Sequence, residues 1–322
     1  MNVVKSVTLA LALSLAFGTV AHAAYPDKPI RLIVPWAAGG STDAIARAVA
    51  QRLSETMGQP VIVDNKAGAS GQIGTDAAAK AAPDGHTIAI VELPHAIAPA
   101  LFSKLPYDLL RDFSPITMVG TSPLILFVSS RNHKNGDIGD FVEKAQAKGE
   151  PIALAHSGAG SVSHLAAELL GSRNRMKVLA IPYKGSAPAL IDVAAGTVDG
   201  HFSTLASGNP LLSAGKISAL MIAGHSRLAA LPGVPTAREA RIEGVQVDQW
   251  WGLVAPATTP VPILERLRQE VAAALAHPAV RDRLNALAID LKDSSRDEFG
   301  AFLRAEVQRW GTVVREANVK LD

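Results

Sequence analysis

The sequence predicts an α/β protein built as two units, and three observations predict it. Apolar β-branched runs alternate with stretches at helical spacing, first over residues 30–91 and again over 124–223. Glycine-rich loops separate strand from helix three times. The length, 322 residues, suits two domains of roughly 150 residues each. Strands that alternate with helices form βαβ units and a mostly parallel sheet.

The first strand is Ile30-Arg31-Leu32-Ile33-Val34, closed by Pro35, and residues 36–40 form a glycine loop. Ser41 or Thr42 caps the next helix, whose apolar face runs Ile45, Ala48, Val49 and Leu53 until Gly58 stops it. Strands are expected at 61–63 and 87–91, with a second glycine loop at 67–74 and a short helix at 75–82. A second unit opens on a strand at 124–128. Further strands fall near 152–155, 178–181, 198–202 and 219–223, with helices near 138–147, 163–170, 187–194 and 209–213. Beyond Trp250-Trp251-Gly252 the pattern turns helical. Residues 261–275 and 279–287 are amphipathic, and Ser295 with Glu298 forms a capping box for a long helix toward Ala317. No repeat, low-complexity tract or Gly/Ser linker intervenes, so the units are expected to join through strands near 120–123 and 247–251 that act as a hinge.

Residues 1–23 read as a secretory signal. A basic start ends at Lys5, an apolar run covers 6–20, and Ala21-His22-Ala23 is a small-x-small cleavage site. The mature chain is expected to begin near Ala24. There is no cysteine, which excludes disulfides, Cys-based zinc sites, cysteine nucleophiles and a lipid-anchored cysteine. An exported protein without an anchor is retained by an outer membrane, so the expected location is the periplasm of a Gram-negative bacterium. With 48% hydrophobic and 19% charged residues, the chain has the material of ordinary α/β cores. The net charge of +2 is scattered without a basic run. Nucleic acid or an anionic membrane would leave a clustered footprint, so neither is expected as a partner.

Three loops carry the functional signal. They are Trp36-Ala37-Ala38-Gly39-Gly40-Ser41-Thr42-Asp43, Asn65-Lys66-Ala67-Gly68-Ala69-Ser70-Gly71, and His156-Ser157-Gly158-Ala159-Gly160-Ser161-Val162-Ser163-His164. Each lies between an expected strand and an expected helix, where open α/β sheets bind ligands. Glycine lets the backbone approach a ligand, and a helix N-terminus presents unpaired N–H groups to an anion. A charge-assisted hydrogen bond contributes on the order of 1.5–3 kcal/mol, and a helix dipole adds about 0.3–1 kcal/mol. Two or three such loops can hold a carboxylate without Arg or Lys. A tight βα turn also uses glycine, but Ser or Thr in every loop favours binding.

No enzyme signature accompanies the loops. The G-x-S-x-G elbow, the P-loop and H-E-x-x-H are missing, and the second loop reads G-x-x-G-x-x-G, not the dinucleotide fingerprint. His156 and His164 are too far apart for one helix face to hold a metal simply, so each reads as a loop or helix-start hydrogen bonder. His164 and His95 are candidates for lining a cleft. Trp36, at the head of a glycine loop, is the stacking candidate, whereas Trp250 and Trp251 read as packing residues. No catalytic residue, metal site or cofactor is assigned.

Several segments resemble the Bug (TctC-like) receptors of tripartite tricarboxylate transporters. They include Tyr25-Pro26-Asp27-Lys28-Pro29-Ile30-Arg31, the first two glycine loops, Ala82-Pro83-Asp84-Gly85 and His95-Ala96-Ile97-Ala98-Pro99-Ala100-Leu101. Leu105-Pro106-Tyr107-Asp108, Pro182-Tyr183-Lys184-Gly185, Leu231-Pro232-Gly233-Val234-Pro235-Thr236 and Trp251-Gly252-Leu253 continue the likeness along the mature chain. The resemblance implies a type II periplasmic-binding-protein fold, with 24–122 and 248–322 as one domain and 123–247 as the other. It places a ligand carboxylate between the first two loops, held by backbone N–H groups and bridging waters. The contacts so implied or read from the loops are Trp36, Ala37, Gly39, Gly40, Ser41, Thr42, Gly68, Ala69, Ser70, Gly71, His95, Ser157, Gly158, Ser161, His164 and Ser203. Three departures stand out from the pattern that it implies: Ser203 in place of Asp, Ala159 in place of Asn, and Glu92-Leu93-Pro94 in place of small polar residues.

The leading expectation is therefore a monomeric receptor that binds a small organic acid and delivers it to inner-membrane permease subunits. A signalling co-receptor presenting its liganded form to a sensor protein is a second reading. A periplasmic hydrolase using His156 or His164 with a serine is a third, and the missing motifs speak against it.

Overall fold

The computed structural model describes residues 25–242 and 244–316; the expected signal segment and Ala317 lie outside them. Two sheets organise the chain. In the first, β1 (Ile30–Val34) pairs in parallel with β2 (Val61–Asn65) and with β3 (Thr87–Glu92). β10 (Asp248–Pro256) runs antiparallel to β3 and to β4 (Phe113–Pro123), and the two-residue β11 (Asp290–Leu291) edges β4. In the second, β6 (Ile152–His156) is parallel to β7 (Val178–Pro182) and β8 (Gly200–Ser203). There β5 (Ile125–Ser129) runs antiparallel to β8 and to β9 (Ile217–Ile222).

Both sheets repeat one plan: three parallel strands in the order second, first, third, then an antiparallel strand newly arrived from the other sheet, then a further strand, to which the first sheet alone adds the short β11 at its edge. The chain crosses between sheets at Leu124 and at Val247, beside the register pair Pro123–Asp248. Leu124 N donates to Val247 O at 3.4 Å, and Val247 N to Ala223 O at 3.0 Å, so the two crossing segments are tied to each other.

The period-two pattern of the strands decides which helix covers which face. Ile30, Leu32 and Val34 turn into one core with α1 (Ser41–Met57) and α8 (Val261–Ala276). Ile33, Ala89 and Val91 turn the other way, against α3 (Leu93–Leu101) and α10 (Arg296–Glu316). Each fully buried Leu, Ile or Val contributes about 1.5–3 kcal/mol of transfer free energy. Trp250 and Trp251 are buried on opposite faces of β10, and Glu306 of α10 accepts from the Trp250 and Trp310 indoles at 2.8 and 2.9 Å. Between these elements lie α2 (Gln72–Ala79) and α9 (Pro278–Asn285), and the second lobe carries α4 (Ile138–Lys148), α5 (Val162–Arg173), α6 (Ser186–Ala195) and α7 (Leu205–Ser213). No described helix is long and apolar enough to cross a membrane.

Several local expectations need correction. Gly40, not Ser41 or Thr42, is the N-cap of α1, because the Thr42 hydroxyl is drawn to Glu92 and Ser41 N to Ser207. α3 lies where the sequence reading assigned no element. α7 begins four residues before Asn209, and β4 runs back to Phe113. Gly58 does end α1, in the left-handed conformation at φ 70°. The Ser295–Glu298 box also forms, with Glu298 N donating to Ser295 Oγ at 3.2 Å and Ser295 N to Glu298 Oε2 at 2.8 Å.

Candidate ligand-binding site

The C-terminal ends of β1, β3, β6, β7 and β8 open on one cleft between the sheets. It encloses about 60 Å³, room on the order of four to six waters at ~10–15 Å³ each. The first lobe lines it with Trp36, Ala37, Gly40, Ser41 and Thr42 after β1, Glu92 and Pro94 at the end of β3, and Gln249 from β10. The second lobe adds Ser157, Ser161, Val162 and Ser163 after β6, Gly185 and Ser186 after β7, and Phe202, Ser203 and Thr204 at the end of β8. Leu124 of the crossing completes the wall.

Besides α3, whose N-cap is Glu92, the N-termini of α1, α5, α6 and α7 therefore meet at the cleft. Ser161 caps α5, its Oγ accepting from His164 N at 3.2 Å. Gly40, Gly185 and Thr204, at the heads of α1, α6 and α7, make no capping side-chain hydrogen bond. First-turn N–H groups without a cap, polarised by the helix dipole, attract an anion. The second lobe adds a chain of hydroxyls. Ser161 Oγ lies 3.0 Å from Ser163 Oγ, Ser163 Oγ 3.2 Å from Ser157 Oγ, and Ser157 Oγ 3.0 Å from Ser186 Oγ. Hydroxyls can donate or accept as a ligand requires. Among the described residues, no Lys or Arg lines the cleft.

One carboxyl does. Glu92 is 4% exposed, and its Oε2 accepts from Thr42 Oγ1 at 2.7 Å and from Gln249 Nε2 at 2.6 Å. Trp251 Nε1 in turn donates to Thr42 Oγ1 at 3.1 Å. Burial pushes the Glu92 carboxyl up to about 7, and the hydrogen bonds from Thr42 and Gln249 oppose this only in part. His95 braces the same strand end. Its Nδ1 accepts from Glu92 N at 3.0 Å and its Nε2 meets Thr75 Oγ1 at 2.9 Å. Burial holds its imidazole down to about 4, hence neutral. Among the described residues, three buried polar atoms of the cleft wall have no hydrogen-bond partner: Trp36 Nε1, Thr204 Oγ1 and Gln249 Oε1.

Of the expected contacts, the structure brings Trp36, Ala37, Gly40, Ser41, Thr42, Ser157, Ser161 and Ser203 together on the cleft wall. Gly39 stands one residue off, its N–H donating to Asp43 Oδ2 at 3.0 Å. Residues 68–71 fold into a tight 3₁₀ turn behind the wall. There Gly71, at φ 88°, backs onto the Trp36 ring, while Ser70 faces Gly158 of the other lobe. His95 lies behind Glu92, and His164 stacks on His156 with ring centroids 4.3 Å apart. Those two rings do not line the cleft. Their Nδ1 atoms accept from Gly160 N at 3.2 Å and Gly158 N at 3.3 Å, which holds the third loop in shape. Sequence reasoning missed Glu92, Gln249, Gly185 and Ser186 as wall residues, whereas the family resemblance already implied the segment 201–204, of which Phe202, Ser203 and Thr204 line the cleft. Gly185-Ser186 at the head of α6 repeats the Gly40-Ser41 start of α1, a local signal for a wall residue. Outside the cleft, His133, Asp137 and Asp140 cluster near the start of α4, where Lys144 already engages Asp140 at 2.7 Å.

Comparison with known proteins bears on this geometry. Residues 45–319 match the family of tripartite tricarboxylate transporter receptors. The chain is 36% identical over 299 residues to the protein BugT of Bordetella pertussis, covering 92% of this chain and 91% of that one. Among solved structures, the periplasmic binding protein BugD superposes with a TM-score of 0.88 at 32% identity, covering 92% and 99% of the two chains. MatC of Rhodopseudomonas palustris with bound malate gives 0.84 at 34% identity, covering 90% and 100%. An R. palustris protein with adipate gives 0.87 at 32% identity, covering 92% and 99%. These structures carry the two-lobed α/β fold of periplasmic binding proteins. The chain belongs to the tripartite tricarboxylate transporter receptor family, the Bug or TctC-like receptors, and is a periplasmic solute-binding protein, not an enzyme.

Proposed function

We propose that the protein captures a small organic carboxylate in this cleft and, as a monomer, delivers it to the permease subunits of a tripartite transporter. The observation that carries the reading is the convergence of three uncapped helix N-termini and a serine hydroxyl chain on a cleft wall without Lys or Arg. Such a wall donates hydrogen bonds and favours negative charge. Relatives whose structures hold malate and adipate support the ligand class. In this reading residues 24–122 with 248–322 form one lobe and 123–247 the other, and the strands that cross at Leu124 and Val247 let them close by a hinge.

A thermal-shift screen of organic acids, each paired with its uncharged amide, tests the assignment. At a hundredfold excess over Kd, a ligand adds about 2.7 kcal/mol of apparent stability. At least one acid is expected to raise the melting temperature clearly while its fully amidated form does not. A response confined to neutral sugars or metal ions would remove the carboxylate reading.

A further inference from the structure

We propose that Glu92 determines which acid the cleft accepts: a carboxylic acid whose far end is a hydrogen-bond donor, an ammonium or an amide, and not a second carboxylate. The inference rests on the carboxylate reading above and narrows it.

The cleft has two unlike poles. The second lobe and the head of α1 offer N–H groups and hydroxyls, the surroundings of a carboxylate. The end of β3 and the adjoining stretch of β10 offer acceptors: the Glu92 carboxyl, and Gln249 Oε1, which is buried and has no partner in the protein. A ligand group seated there gains most by donating. A second carboxylate would meet Glu92 across a few ångströms of water-poor interior, where like charges repel strongly.

Hydrogen bonds hold the Glu92 carboxylate, among them one from the backbone N–H of His95 at the head of α3, but no cation beside it relieves that repulsion. From α1 it meets Thr42, while the neighbouring Asp43 turns away to Arg47 Nε at 2.9 Å and to Asn65. From β10 it meets Gln249, with Trp251 behind Thr42, and the loop after β1 adds Trp36. From α3 comes His95, neutral and bonded to Thr75. The facing lobe presents serines and Thr204. No cation is among them, so a dicarboxylate can enter only with a proton placed on Glu92 or on itself. Burial, which raises the Glu92 carboxyl, makes Glu92 the group that takes it.

Succinate, succinamate and 4-aminobutanoate share one four-carbon skeleton and differ at a single end, and calorimetric titration of the mature protein with each compares them directly. At pH 8.5, succinamate and 4-aminobutanoate are expected to bind at least tenfold more tightly than succinate. Glu92→Gln, which keeps the shape and can donate from its amide, is expected to cost 4-aminobutanoate at least tenfold and to strengthen succinate as much. The wild-type protein alone supplies a second measurement that does not depend on the variant folding. Between pH 8.5 and 6.5 its preference against succinate should shrink, with close to one proton taken up per succinate bound at pH 8.5 and progressively fewer as the pH falls through about 7. Succinate binding most tightly at pH 8.5, or a preference independent of both pH and Glu92→Gln, would overturn the inference while leaving the carboxylate reading intact. No response to any of the three acids, in either variant, while another carboxylic acid binds would overturn this inference alone, and no response to any acid of the wider screen would remove the carboxylate reading with it.

Discussion

His95, His164 and His201 are each held down to about 4 by burial, against an ordinary value of 6.5. The unfolded chain therefore binds more protons than the folded one between pH 6.5 and 4, and stability falls as the pH drops through that window. Glu92 works the other way. Its folded carboxyl keeps a proton up to about 7 while the unfolded one releases it near 4.5, so its contribution is present at pH 4.5 and lost as pH rises to 7. Each histidine's share of the loss toward acid is on the order of 1.4 kcal/mol per pH unit; His156, also lowered by burial, adds to it, while Glu168 and Asp248, raised by burial like Glu92, oppose it. Urea unfolding at pH 6.5, 5.5 and 4.5 should show that decline, and His201→Gln should flatten it by about one proton; an unchanged slope would contradict the assignment. At this scale the sequence was only partly legible. Glycine, serine and threonine before a helix announce the first and third loops. Nothing local announces that Glu92 will meet Gln249, 157 residues away, because the two join only when β10 returns beside β3.

At the scale of elements, the lobes are held face to face by loops and helix ends. Ser41 N, on α1, donates to Ser207 Oγ of α7 at 2.9 Å. Gly158 of the third loop, at φ 134°, comes so close to the second loop that a Cβ there would lie 2.9 Å from Ser70 Oγ. Ser207→Ala should weaken ligand binding several-fold through the lost cross-cleft bond, leaving the melting temperature of the free protein within a few degrees. Gly158→Ala should cost more than tenfold, since it both strains the backbone and wedges the lobes apart. Equal affinities in titrations of wild type and Gly158→Ala would show that this contact plays no part in capture. Strand–helix alternation made most elements readable, down to the capping box of α10. The exceptions share a cause in proline and glycine. Pro94 and Pro99 conceal α3, although a proline in a helix's first turn is tolerated because its missing N–H would be unpaired anyway. Pro115 hides the start of β4, which the register shifts along β10 accommodate. Gly208 hides the first turn of α7, where the Phe127 ring fills the place of a side chain.

At the scale of the whole molecule, two sheets of the same plan face each other, and their strand ends bring the heads of α1, α5, α6 and α7 to one small cavity. A ligand can favour closure only by binding the closed arrangement better than the open one, so contacts drawn from both lobes are what couple capture to motion. That the loops converge was readable from three glycine-rich segments following strands. The segment before α7 was readable only through the family resemblance, and where the head of α6 comes to lie depends on how the second sheet is placed against the first. The central claim is that a carboxylate is held by backbone N–H groups at those helix heads. Backbone amide chemical shifts, followed while the ¹⁵N-labelled mature protein is titrated with the acid that most raises its melting temperature, test it most directly. The largest changes should fall on Thr42, Val162, Ser186 and Leu205, in both lobes at once and saturating with one ligand per chain. Changes concentrated elsewhere, around His133 and Asp140 for instance, or confined to one lobe, would contradict it.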